Sequence, residues 1–164
     1  MDKDSLRTLH GGLGLAKMAR MMTSKDKAQG LMWTPGGQVI NPFLKAAHKT
    51  YNSLLGLEGL VREDKLVLRK HSPHGIDDQK IYSFENVLYI ETLLMLGKND
   101  EALNVYESMK NVDLLVREDM MVSNHIGPGP EESDFDLDSA TNCLWMKVLS
   151  LMGKRDEALM AYKS

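Results

Sequence analysis

The chain has 164 residues with 23 acidic and 20 basic side chains, a formal net charge of −3 and a single cysteine, Cys143. That length suits about one domain with a substantial core. The charge argues against a general nucleic-acid binder, which would carry a basic face. The lone cysteine excludes an internal disulfide, and no stretch approaches the roughly 20 apolar residues of a membrane-spanning helix.

Residues 1–33 are Met-rich, and Leu6, Leu9, Leu13 and Ala16 fall near helical spacing. Gly11, Gly12 and Gly14 resemble a phosphate loop only in their glycines. The Gly-Lys-Ser/Thr ending is missing, so the run reads as a loose helix start. There is no apolar run of signal-peptide length, which makes a soluble, cytoplasmic protein the default expectation. Met18, Met21, Met22, Met120 and Met121 read as core and interface filler. Ser24-Lys25-Asp26-Lys27-Ala28 reads as the eroded turn of an atypical first hairpin. Thr34-Pro35-Gly36-Gly37 predicts a turn. Asn41-Pro42 then opens a helix with Asn at the N-cap and Pro at the first helical position. That helix runs to about Leu55, ending at Gly56 or Gly59.

From residue 59 the chain states a pattern twice. Leu60-Val61-Arg62-Glu63-Asp64 returns 55 residues later as Leu115-Val116-Arg117-Glu118-Asp119. Leu96-Gly97-Lys98-Asn99-Asp100-Glu101-Ala102-Leu103 returns 56 residues later as Met152-Gly153-Lys154-Arg155-Asp156-Glu157-Ala158-Leu159. Asn86 then matches Asn142, Tyr89 matches Trp145 and Tyr106 matches Tyr162, while Ala47 and Tyr51 precede Ala102 and Tyr106 by 55. Self-similarity at a fixed period is the mark of a repeat architecture. Each unit reads as an extended piece (60–69, 115–123), a polar loop (70–80, 124–137), a first helix (83–96, 139–152) and a second helix (100–111, 156 onward). The first helix is apolar nearly all round, as a helix buried on several sides must be, whereas the second carries one stripe, Ala102, Val105, Tyr106 and Met109. Gly97 suits the residue just past the first helix, and Asn99 could cap the second. Cys143, among Leu144, Trp145 and Met146, reads as a buried structural thiol.

The predicted fold is all-α: one helical-repeat domain over residues 1–164, with short extended segments between hairpins. It comprises an atypical first hairpin (1–58), a second unit (59–113) and a shortened third (114–164). Gly-Lys-x-Asp-Glu-Ala-Leu-x-x-Tyr resembles the inter-helix turn of tetratricopeptide and pentatricopeptide repeats. The period of 55–56 departs from their roughly 34–35 and is closer to the α/α toroids of six-hairpin glycosidases. In those folds the loops before the inner helices ring the active site. Roughly three hairpins, against six in a closed ring, would make an open array, half of a ring, or a shortened relative.

That resemblance and the repetition both direct attention to the two polar loops. His71, His74, Asp77 and Asp78 could bind a divalent metal, although their spacing matches no strong motif. Asp78 and Asp134, on matching loops, could divide acid and base roles on a glycosidic bond. A non-catalytic pocket for a polar ligand or peptide could include Glu131 and Glu132, or the acidic loops could simply cap helix N-termini. Arg62 and Arg117 could grip a ligand carboxylate or pair with an acid of a neighbouring unit. Asn86 and Asn142 could clasp the preceding segment or face a cleft. No cofactor motif is present. The expectation is a non-enzymatic interaction or scaffold module with a protein partner or a second copy, binding neither nucleic acid nor membrane. A carbohydrate-active enzyme using loop carboxylates is the alternative.

Overall fold

The computed structural model of the chain describes residues 32–33, 39–40, 42–56, 60–68 and 80–164. These residues are mostly helical, in keeping with the all-α class. The helices are α1 (Pro42–Leu55), α2 (Ser83–Met95), α3 (Asn99–Asn111), α4 (Ser139–Leu151) and α5 (Arg155–Lys163). Two short antiparallel pairs accompany them, β1 (Met32–Trp33) with β2 (Val39–Ile40) and β3 (Ile81–Tyr82) with β4 (His125–Ile126). The expected N-terminal helix, the Gly-rich run, the Thr34–Gly37 turn and the first polar loop with His71, His74, Asp77 and Asp78 lie outside the described residues. Met32 and Trp33 are in a strand, not in the helical run expected through residue 33. Pro35 disfavours the helical region just upstream, and β-branched Val39 and Ile40 supply a pairing partner.

α2 packs against both α3 and α4, and α4 packs against α5. Being covered on so many sides, α2 is buried from Ser83 to Leu94 except for the half-buried Phe84. α3 buries only its stripe, Ala102, Val105, Tyr106 and Met109. Both hairpin turns are built alike. Gly97 (φ 77°) and Gly153 (φ 78°) take the left-handed conformation that glycine adopts without penalty. The N–H groups of Gly97 and Lys98 reach back to the carbonyls of Leu94 and Leu93, and those of Gly153 and Lys154 to Ser150 and Leu149. This paired closure satisfies carbonyls that a helix end would otherwise leave orphaned. Asn99 does not cap α3: Lys98 occupies the capping position and Asn99 is the first helical residue.

The segments expected to be extended are instead tight reversals. Val61 bridges Val67 and Val116 bridges Val122 across a turn closed by Arg62–Lys65 and Arg117–Met120 hydrogen bonds. Lys65 (φ 72°) and Met120 (φ 63°) take the left-handed position that ends such turns. Asp64 and Asp119 accept the N–H two residues on and fold the chain back on itself.

Asn86 and Asn142 hold these reversals on the inner helices. The Asn86 amide accepts from Val67 N–H at 2.8 Å and donates to the Val67 carbonyl at 3.0 Å and the Tyr82 carbonyl at 2.9 Å. Asn142 repeats the set with Val122 N–H (2.8 Å), Val122 carbonyl (3.0 Å) and Asp138 carbonyl (3.1 Å). Truncating such an amide leaves buried backbone groups unpaired, at about 1–3 kcal/mol each. Asn86→Ala should therefore lower stability by about 2–4 kcal/mol in denaturant titration. A loss within experimental error of zero would show that the amide does not hold the turn.

Candidate functional site

The arginines of the two reversals do not reach a neighbouring unit. Arg62 pairs with Asp64 and Arg117 with Asp119, each at 3.0 Å within its own turn and partly exposed. Such pairs add little to stability. Asn86 and Asn142 are 0% and 1% exposed, with their amides engaged by backbone, so neither faces a cleft.

In the second loop, Asp134 bridges to His125 through paired backbone hydrogen bonds. Its carboxylate accepts from the Asn124 amide at 2.6 Å and from Asp136 N–H at 3.0 Å, which hold it below the usual carboxylate range. Asp138 caps α4: it accepts from the Thr141 hydroxyl at 2.5 Å and Thr141 N–H at 2.7 Å, and its carboxyl is likewise held low. The legible signal was an aspartate directly before Ser139-Ala140-Thr141, the residue type that favours an N-cap. Glu131 and Glu132 lie exposed on a 3-10 turn, Pro130–Glu132, beside the exposed Phe135 and Leu137. The His125 ring hydrogen-bonds the Glu132 carbonyl at 3.0 Å and lies against Tyr82. Among the described residues no three His, Cys, Asp or Glu side chains stand close enough to share a metal ion. Nor, among those residues, is any helix long and apolar enough to cross a membrane.

A second arrangement joins the hairpins. Tyr51 of α1 stacks on Tyr89 of α2, lies under Lys98 Nζ at 4.8 Å and donates to Glu101 at 2.5 Å. Tyr106 of α3 stacks on Trp145 of α4, lies under Lys154 Nζ at 4.1 Å and donates to Glu157 at 2.5 Å. Burial, and then the acceptor carboxylate, push both phenols above their ordinary value. Burial pushes Glu101 up, but hydrogen bonds from Lys98 and Tyr51 outweigh it and hold the carboxyl low. Each tyrosine thus enters a socket made of an inner-helix aromatic, a turn lysine and the first-turn glutamate of the next outer helix. The sockets could have been read from lysine and glutamate recurring at the same shift. Equally unforeseen, the fully buried Glu91 accepts from Lys147, its counterpart 56 positions on, at 2.7 Å.

The far side of the α4–α5 hairpin differs from that of α2–α3. Val87, Ile90, Glu91 and Leu94 are buried, whereas their counterparts Cys143, Lys147 and Ser150 are exposed and Met146 is half-exposed. Cys143 is therefore not the buried thiol expected: its helix face has no further helix packed on it among the described residues. Tyr106 is 0% exposed but Tyr162 is 76% exposed. A groove of about 440 Å³ on this face is lined by Met146, Lys147, Ser150, Arg155, Ala158 and Tyr162, among others.

No protein-family model matches the chain, and comparison with curated proteins and with solved structures finds no match.

The two lowered carboxyls have a consequence for acid stability. A group whose folded-state pKa is depressed contributes stability that is complete above the ordinary value near 3.8 and is lost as pH falls through the lower one. Asparagine at either position keeps an acceptor oxygen but cannot titrate. The Asp134→Asn/Asp138→Asn variant should therefore lose less stability than the parent between about pH 4 and pH 2. Parallel acid limbs in pH-dependent melting would mean that neither carboxylate is held by its neighbours.

Proposed function

We propose that the protein is a non-enzymatic interaction module. Its helical hairpins stack as units of a repeat array with a period of 55–56 residues, and it holds a protein partner on the open face of α4 and α5. The repeat reading is supported by contacts that recur at that shift: the asparagine clasp, the Asp-closed reversal, the glycine turn and the tyrosine socket. An α/α superhelix accounts for them, and a partial toroid would use the same hairpins.

The observation that carries the binding reading is the mismatch between equivalent positions. Tyr162, Lys147 and Cys143 stand exposed, and Met146 half-exposed, where Tyr106, Glu91, Val87 and Ile90 are buried. A face patterned for burial but open to solvent marks an interaction site. The second loop favours this reading over catalysis. Asp134 is occupied by Asn124 and Asp136 and is held ionised, which suits an anchored loop and not a general acid, for which a raised pKa would be needed.

Cys143 offers a direct test, since it is the only cysteine and lies on the proposed face. A photo-crosslinker attached there should join the protein to a specific partner, either another protein or a second copy. The same reagent at Lys110→Cys on the wet side of α3, in a Cys143→Ser background, should not. Equal yields at both positions, or none at either, would refute the interaction module.

A further inference from the structure

We infer that the open α4–α5 face receives a helical hairpin of the same chemical kind as α2–α3 and α4–α5. This hairpin would come from a partner protein and present a socket for Tyr162. The inference deepens the interaction reading above by naming the partner's chemistry. It derives from the interface that the molecule already contains. Twice, the tyrosine of one outer helix enters the next hairpin against an inner-helix aromatic, beneath a turn lysine and onto a first-turn glutamate. Tyr51 and Tyr106 do this. Tyr162 stands at the corresponding place on α5, 76% exposed, and its hydroxyl has no hydrogen bond among the described residues.

The surrounding face continues the same interface. Ala161 is buried as Val105 is, so α5 sits on α4 in the way α3 sits on α2. Met146 and Leu159 add apolar surface beside Tyr162. Charge then narrows the partner. Across the α2–α4 interface the contacting counterparts are a carboxylate and an ammonium, Glu91 and Lys147. The next hairpin in such a stack would bring its own counterpart beside Lys147, and a second ammonium there would repel it. The partner hairpin therefore carries an acidic side chain on its inner helix opposite Lys147, an aromatic two residues before it, as Tyr89 precedes Glu91 and Trp145 precedes Lys147, and a Lys-x-x-Glu turn for the phenol.

Appending a hairpin to the full chain tests this chemistry. Tyr162-Lys163-Ser164 corresponds to Tyr106-Glu107-Ser108, so a copy of residues 109–164 placed directly after Ser164 continues the register. Two versions are made, one with the copied Lys147 position changed to glutamate and one with lysine retained. Hydroxyl-radical footprinting then reads Tyr162, with Tyr106 as the buried reference. In the glutamate version Tyr162 should become protected by about tenfold, since a buried ring is reached only through local opening. The added segment should increase helical circular dichroism in proportion to its length, and Tyr162→Ala should abolish that added helix. The lysine version should show weaker protection. Tyr162 as reactive as in the parent chain, absence of added helix, or equal protection with either residue would each overturn the inference. In that event a specific crosslink from Cys143 would leave the interaction reading standing with a partner of different chemistry. No crosslink with full protection would leave the socket standing without the module.

Discussion

A helix buried on nearly every side can carry polar groups only where each finds a partner, and this constraint organises the structure around Asn86 and Asn142. Each amide has one acceptor and two donor hydrogens. All three are used: two hydrogen bonds close a pseudo-pair with one residue of the preceding turn, and the third returns to the carbonyl four residues back, on the residue just before its own helix. One side chain thereby satisfies the end of a reversal and the start of a helix together. The turn cannot slide along α2 or α4 without orphaning buried backbone groups, a cost that exceeds the net gain of any single hydrogen bond. The loops that follow inherit their starting geometry from that lock. In the second loop the inheritance is visible: β4 pairs with β3, and Ser83 at the head of α2 donates both its N–H and its hydroxyl to the carbonyls of Asn124 and Ser123.

Between hairpins the positioning is done by rings and charges. Apolar helix faces pack at many rotations, whereas an aromatic ring under a lysine and against a carboxylate fits at one. The two sockets reach this end with different aromatics. Tyr89 places its hydroxyl 3.5 Å from that of Tyr51, and Trp145 turns its indole N–H to the Met120 carbonyl at 2.8 Å, which ties the socket to the reversal beside it. The Glu91–Lys147 pair adds a polar point in an otherwise apolar seam. Removing Lys147 would strand the buried Glu91 carboxylate, whereas Lys147 itself keeps half its side chain in solvent.

Much of this was legible in the sequence because the determinants are local. The ends of α2 and α4 agree with expectation to within a residue, since Gly97 and Gly153 are needed wherever the chain turns left-handed after a helix. The buried stripe of α3 followed from its 3.6-residue period. The Asn86 and Asn142 clasp was foreseen as one of two roles. What eluded the sequence depends on what is far away in the chain. The Val and Leu residues of 60–69 read as extended, but Asp64 closes the turn through a hydrogen bond that composition does not distinguish from surface charge. Cys143 sits in the same apolar pattern as buried Val87, and only the presence of a neighbouring helix decides which one is exposed. Glu91 drew no reading from the sequence, because only the packing of α4 on α2 brings Lys147 to it.

The loop carboxylates illustrate how position changes the meaning of an acidic cluster. Asp134, Asp136 and Asp138 alternate along the strand-like approach to α4, which suggests a ligand site by composition alone. Their environments separate them. Asp134 is spent on the loop's internal hydrogen bonds and Asp138 on the helix end, so each is a structural acceptor whose charge is already satisfied. Charge that has found its partner inside the fold has little left with which to bind a ligand. On the opposite account, Lys147 keeps half its side chain in solvent after pairing with Glu91, and Tyr162 has a phenol that the fold does not engage. On the proposed reading, recognition falls to the hairpin face, where polar groups and apolar surface are left over together, while the charges of Asp134 and Asp138 hold their loop in place.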